Sequence, residues 1–149
     1  LEREIDELAA QLEEYELLQS IPGIGEKIAA TIISEIGEIG RFNHPKKLVA
    51  FAGLDPSVFE SGRFKSTKNH ITKRGSARLR HMLYTAVRCS IRDSRKKKTT
   101  PETLARNKRL RAFYDLKRPY KAAIIACANK LLHWIYAMLK TKTPFQETI

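Results

Sequence analysis

Residues 119–140 read PYKAAIIACANKLLHWIYAMLK. Ala123, Ile124, Cys127, Ala128, Leu131, Leu132, Ile135, Met138 and Leu139 recur every three to four positions, the period of an α-helix, and make a wide apolar stripe. Pro119 suits the first position of such a helix, where no backbone N–H is needed. The spacing predicts a core helix, with His133 and Trp134 at its margin and no chemistry assigned to either. A chain of 149 residues is long enough to bury such a helix within one domain, with room for an appended element.

Moving toward the N-terminus, Thr100-Pro101-Glu102 reads as a helix start leading into LARNKRLRAFYDL, with Leu104, Leu110, Phe113, Tyr114 and Leu116 on its packing face. Before it, residues 95–98 are a run of Arg and Lys in a loop, read either as a solvated linker or as a phosphate contact. Gly75 and Ser76 open a further helix whose inner face is Leu79, Met82, Leu83, Ala86, Val87, Ser90 and Ile91. Pro45 begins a short helix over 45–52 with Leu48, Val49 and Phe51 turned inward, and Gly53 ends it.

Residues 20–37, SIPGIGEKIAATIISEIG, place Gly23 and Gly25 two apart ahead of a helix carrying Ile28, Ala29, Ile32, Ile33 and Ile36. The pattern resembles a helix-hairpin-helix, in which the glycines permit a tight turn and the backbone N–H groups opening the second helix receive a phosphate. Lys27, in that first turn, would add a charge-assisted contact. An ordinary helical turn with two glycines fits the same residues. Residues 1–19 carry Leu1, Ile5, Leu8, Leu12 and Tyr15 at steps of four and three, the seam of a coiled coil; an amphipathic helix docked on its own domain is the other reading. Starting inside a helix without a cap or an initiator Met, the chain is expected to be the C-terminal part of a longer one.

Charge separates these parts. Residues 1–19 hold one base and seven acids, so the remaining 27 bases and nine acids leave the rest of the chain at net +18 against a total of +12. Such an excess points to nucleic acid or an anionic surface, and by inspection no apolar run reaches the ~18 residues of a membrane span. Cys89 and Cys127 lie far apart without zinc-site spacing and are expected as buried reduced thiols, which with the lack of a signal peptide implies the cytosol.

The basic excess is densest in residues 53–80, GLDPSVFESGRFKSTKNHITKRGSARLR. Arg63, Lys65, Lys68, Lys73, Arg74, Arg78 and Arg80, with His70 among them, occur without one Asp or Glu between residues 63 and 80. That is the footprint of a phosphate-binding surface. Residues 55–72 lack a helical period, and Val58, Phe59, Phe64, Thr67 and Ile71 suggest short extended pieces that could form a hairpin turning around Ser61-Gly62. On pattern alone Ser61 is a turn residue. Arg78 and Arg80, near the start of a helix, oppose its dipole unless an anion is brought to them.

The order PGIG, LVAFAGLDP, SG, ITKRGSARLRHMLY, PYKAAIIACANKLLHWIYAML resembles the C-terminal transposase domain of the insertion-sequence 110/116/902 family over nearly all of the chain after residue 20. The resemblance implies a DNA recombinase directed by a structured guide RNA. It implies an N-terminal RuvC-like domain holding acidic ligands for Mg²⁺, then a coiled coil, then a domain whose serine nucleophile corresponds to Ser61. The expected organisation is an acidic dimerising helix over 1–19 and a transposase domain over 20–149. The expected fold is mainly α, with the helix-hairpin-helix-like element and a short irregular or β insertion around Ser61. No cofactor is expected within this chain, and the partners would be DNA, guide RNA and further copies of itself, in the bacterial cytoplasm at the nucleoid.

Under this reading Ser61 attacks a DNA phosphodiester, and the cations from Arg63 to Arg80, with Gly62 giving close approach, hold the phosphate. His70 serves as acid, base or phosphate contact. The competing reading is a non-catalytic DNA- or RNA-binding module using Gly23, Gly25, Lys27 and the basic surface alone. If all seven bases neutralise phosphates, the salt dependence of binding has a log–log slope of about −6.

Overall fold

The computed structural model describes residues 1–55, 75–92, 105–116 and 119–146, and the backbone at 60–61 and 64–65. Six α-helices make up most of it: α1 (Glu2–Gln19), α2 (Glu26–Ile36), α3 (Pro45–Phe51), α4 (Ala77–Ile91), α5 (Lys108–Tyr114) and α6 (Tyr120–Thr141). A 3-10 turn at Ile39–Arg41 links α2 to α3. Two short strands, β1 (Glu60–Ser61) and β2 (Phe64–Lys65), pair antiparallel between α3 and α4. The chain is thus mainly helical with a small β element, as its periodicities imply.

α6 is the axis of the core. All nine residues of its apolar stripe are buried, and α1, α3, α4 and α5 all pack against it. The helix is long and apolar enough to cross a membrane by length and composition. Its apolar residues form no unbroken run of that length, but the isolated Lys and Asn positions do not interrupt the helix. Yet its stripe faces other helices, so it is accounted for as the core helix of this domain. Lys142, in the left-handed conformation at φ 53°, ends it without a glycine.

Caps decide where several helices begin. Ser76 accepts the Leu79 N–H at 3.1 Å and starts α4 at the predicted place. His44 Nδ1 accepts the Lys46 N–H at 3.1 Å ahead of Pro45, a cap that the usual Ser/Thr/Asp/Asn pattern does not disclose. For α5 the structure corrects the sequence reading in part: residues 105–107 are not helical and the helix begins at Lys108, while residues 101–104 lie outside the described residues. Asn107 is the reason. Its Oδ1 accepts the Leu110 N–H at 3.0 Å while its own N–H donates to Ser90 O at 2.9 Å, so a non-helical residue is fixed there. Leu110 is buried, but Leu116 is half exposed and does not pack as expected, and Leu104 lies outside the described residues.

α1 resolves into two parts. Leu18 is buried and Tyr15 packs on the core, but Leu1, Ile5, Leu8 and Leu12 are each more than half exposed. The helix therefore docks by its last turns and carries an uncovered apolar stripe along the rest. Cys127 is buried as expected, whereas Cys89 is only partly so.

Candidate nucleic-acid interface

The turn between α1 and α2 is held from below. Ile21 and Ile24 are buried plugs, and the Ser20 hydroxyl both donates to Leu17 O at 2.6 Å and accepts the Phe145 N–H at 2.8 Å. Phe145 rests on Trp134, with the Arg109 guanidinium 4.7 Å from the Trp134 ring centre, so the C-terminal end braces this turn. The two glycines then differ. Gly23 has φ +100°, and a Cβ there would lie 2.6 Å from Ser90 Cα on α4. The Ser90 hydroxyl donates to Pro22 O at 3.0 Å, which locks that approach. Gly23 thus has a packing requirement independent of any ligand.

Gly25 is open. Nothing lies within 4 Å of a Cβ added to it, and it caps α2 with extended backbone and no side-chain hydrogen bond. The start of α2 is therefore uncovered, with Gly25, Glu26 and Lys27 all exposed. Lys27 is suited to an incoming phosphate there; Glu26 opposes one.

Ser61 lies on the segment that joins α3 to α4. Its backbone pairs with Phe64, and Glu60 pairs with Lys65, so only residues 62–63 connect the strands. The sequence suggests a hairpin around Ser61-Gly62, and the strands pair there, but Ser61 stands in β1 and not in the turn, while Gly62 lies outside the described residues. Gly62, Arg63, Lys68, His70, Lys73 and Arg74 lie outside the described residues, as does the 95–98 run, and only the backbone of Ser61 and Lys65 is described.

The two roots of this segment meet. At the α3 end, the Gly53 N–H donates to Ala50 O at 2.9 Å and the Leu54 N–H to Val49 O at 3.1 Å. At the α4 end, the Ser76 N–H donates to Phe51 O at 2.7 Å, and the Arg80 Nη1 to Ala52 O at 3.3 Å. Gly75 makes this closure feasible: at φ +94° it passes so near the Phe51 carbonyl that a Cβ would sit 2.9 Å from the carbonyl carbon. Phe51 is in turn stacked under Arg41, whose Nε donates to Ile36 O at 3.0 Å at the end of α2.

The sequence between residues 63 and 80 contains no acid, but the fold brings one. Glu35 of α2 accepts the Ser76 hydroxyl at 2.9 Å through Oε2, and its Oε1 lies 3.6 Å from Arg78 Nε. The anion needed by a cation at the start of α4 is thus supplied in part by the protein itself. Arg78 remains mostly exposed, so the pair is weak and open to competition by solvent or a phosphate. Arg80 is drawn inward along the Ala52 carbonyl, beside Tyr84, whose phenol is pushed up by burial while the Arg80 charge acts against that shift. Glu35 had no sequence signal beyond being a polar residue on an apolar helix.

A second group of bases gathers around His133 of α6. Burial, then the charges of Lys130, His44 and Lys46, hold the His133 imidazole below its usual range. Among the described residues no three His, Cys, Asp or Glu side chains come together as a metal site.

Residues 15–114 match the Transposase IS116/IS110/IS902 family, a span that includes Gly23 and Gly25 of the α1–α2 turn, Glu35 and Ser61. Across 97% of its length the chain is 32% identical to the transposase for insertion sequence element IS1111A of Coxiella burnetii. It is 31% identical over 89% of its length to the pilin gene-inverting protein of Moraxella bovis, and 25% identical over 97% to the insertion element IS116 uncharacterized 44.8 kDa protein of Streptomyces clavuligerus. It spans 38%, 39% and 34% of those relatives, respectively.

Proposed function

Because the chain belongs to the IS116/IS110/IS902 transposase family, we propose that it is the nucleic-acid-binding and strand-attacking part of a DNA transposase or recombinase, with Ser61 as the nucleophile. The observation that carries this reading is the family match over residues 15–114, which runs through the Ser61 segment and the turn at Gly23 and Gly25. Relatives named as transposases and as a pilin gene-inverting protein support strand exchange, since both names describe relocated or reoriented DNA.

In this reaction the Ser61 oxygen forms a bond to a DNA phosphorus while the bond to one deoxyribose oxygen breaks. The serine proton is taken up and the departing oxygen receives one. The phosphoserine link keeps the phosphodiester energy, so a second strand can reseal without an external energy source. A serine hydroxyl is weak unaided, and the charge that develops on the phosphate needs fixed cations. Arg63, Lys65, Lys73 and Arg74 are assigned that role, with Lys68 and His70 as further contacts and Gly62 allowing approach. The activating group for Ser61, and the Mg²⁺ that the family resemblance places in a RuvC-like domain, belong to the remainder of the protein.

Gly25 and Lys27 would take a phosphate at the exposed start of α2, without reading sequence. A structured guide RNA presents the same backbone chemistry to this surface. Copies associate through the uncovered stripe of α1, as the exposure of Leu1, Ile5, Leu8 and Leu12 supports. In the cell the protein would act on DNA in the cytoplasm.

The decisive experiment is Ser61→Ala in the full-length transposase, probed for a covalent protein–DNA adduct. Loss of the adduct with retained DNA binding is the expected outcome; an adduct that still accumulates refutes the assignment. Binding should weaken steeply with salt. With Arg80 turned onto the Ala52 carbonyl and Arg78 only weakly paired with Glu35, the five bases in residues 63–74 and Arg78 remain, for a slope of about −5.4 instead of −6. The open α2 N-terminus also suits a second reading, a non-catalytic module that binds DNA or RNA backbone, under which Ser61→Ala leaves function intact.

A further inference from the structure

We propose that Glu35 is a positioning residue for Ser61, holding in place the root of the segment that carries it. This rests on the reading of Ser61 as the nucleophile. Three helix ends converge where the segment leaves and re-enters the core: the last turn of α2, the last turn of α3 and the first residue before α4. Glu35 is the side chain that joins the first of these to the third, through the 2.9 Å hydrogen bond from Ser76. Ser76 in turn joins the third to the second, through its N–H on Phe51 O at 2.7 Å. Arg41 closes the triangle, reaching the carbonyls of Ile36 and Glu35 while its guanidinium covers the Phe51 ring at 5.0 Å.

The Glu35 carboxylate is therefore not one more solvated acid. Only about a quarter of its side chain is exposed, and its two oxygens are divided between the hydroxyl of Ser76 and the guanidinium of Arg78. Orienting Ser76 has two effects, because the same hydroxyl accepts the Leu79 N–H and so starts α4. Without the carboxylate, the Ser76 hydroxyl can turn away, the first turn of α4 loosens, and residues 54–75 lose one of their fixed ends. A reacting serine displaced by about 1 Å loses up to 100-fold in rate even when its substrate is still bound. Glu35 touches neither substrate nor reacting atoms, so it acts through geometry alone.

Two measurements test this. In the full-length transposase, Glu35→Ala should slow formation of the covalent DNA adduct at saturating DNA about tenfold, while the Kd for a target duplex changes less than twofold. Glu35→Gln keeps an acceptor for the Ser76 hydroxyl and should recover most of that rate. In hydrogen exchange, Glu35→Ala should speed exchange at Ser76, Leu79 and residues 60–65 at least tenfold and leave α6 unchanged. An unaltered adduct rate in Glu35→Ala overturns the proposal, as does a Kd that weakens in step with the rate, since Glu35 would then act on binding. If Ser61→Ala still yields an adduct, the nucleophile assignment fails separately. Exchange at residues 60–65 then decides whether Glu35 holds the segment: faster exchange in Glu35→Ala keeps that part of the proposal, and unchanged exchange removes it.

Discussion

Replacing Gly23 with alanine separates packing from ligand binding at the turn before α2. At φ +100° an L side chain is disfavoured by about 1–2 kcal/mol. The new Cβ would lie 2.6 Å from Ser90 Cα, so it meets helix backbone and not the mobile end of a side chain. Forcing α4 away costs about 1–3 kcal/mol by comparison with overpacked cores. The Ser90 to Pro22 hydrogen bond, 3.0 Å long, would be lost with that movement, at about 1 kcal/mol. Together these give about 3–6 kcal/mol. With a urea slope of ~2 kcal/mol/M, the unfolding midpoint falls by roughly 1.5–3 M. The assay is urea unfolding followed by far-UV circular dichroism and by fluorescence of Trp134, the single tryptophan. Gly40→Ala serves as control, because Gly40 has no atom within 4 Å of a new Cβ and no positive φ, and should stay within about 0.5 kcal/mol of wild type. A Gly23→Ala midpoint indistinguishable from that of Gly40→Ala would refute the packing argument and return Gly23 to a purely ligand-facing role.

Gly75→Ala combines φ +94° with a Cβ against the Phe51 carbonyl, and should cost about 2–4 kcal/mol by thermal unfolding while breaking the Ser76 to Phe51 bond seen by amide exchange. His133 provides a pH test. Its folded pKa lies below the unfolded value of about 6.5, so below that pH the unfolded chain binds the proton more readily, and stability falls as pH drops toward the folded pKa. The midpoint of His133→Gln should lose that part of the pH dependence between pH 7.5 and 5, and an unchanged slope would count against burial beside Lys130, His44 and Lys46. Leu8→Lys with Leu12→Lys should abolish self-association in sedimentation without lowering the unfolding temperature, since both side chains are exposed; a wild-type protein of constant monomer mass at every concentration would remove the premise.

The contrast between Gly23 and Gly25 shows how far residue patterns reach. In the sequence they are equivalent members of one turn, because a one-dimensional pattern carries no information about which neighbour approaches from a distant helix. Ser90, 67 positions away, distinguishes them. Asn107 is similar: residues 105–107 fall inside a stretch that reads as helix, but a hydrogen bond to Ser90 O and the cap on Leu110 place the start of α5 at Lys108. Local propensity is a weak preference, and one well-placed tertiary bond is enough to override it.

By itself the sequence determined the helical character, the core stripe from Ala123 to Leu139, the Ser76 start of α4 and the basic, acid-free run that directs attention to nucleic acid. These depend on periodicity, caps and composition, which are local properties of the chain. Tertiary structure alone decided that Glu35 stands at the base of the Ser61 segment, that Arg80 is turned onto a carbonyl, and that the segment leaves and returns at a single junction of three helices. Those facts depend on contacts between residues tens of positions apart, where geometry and not order along the chain sets the distance.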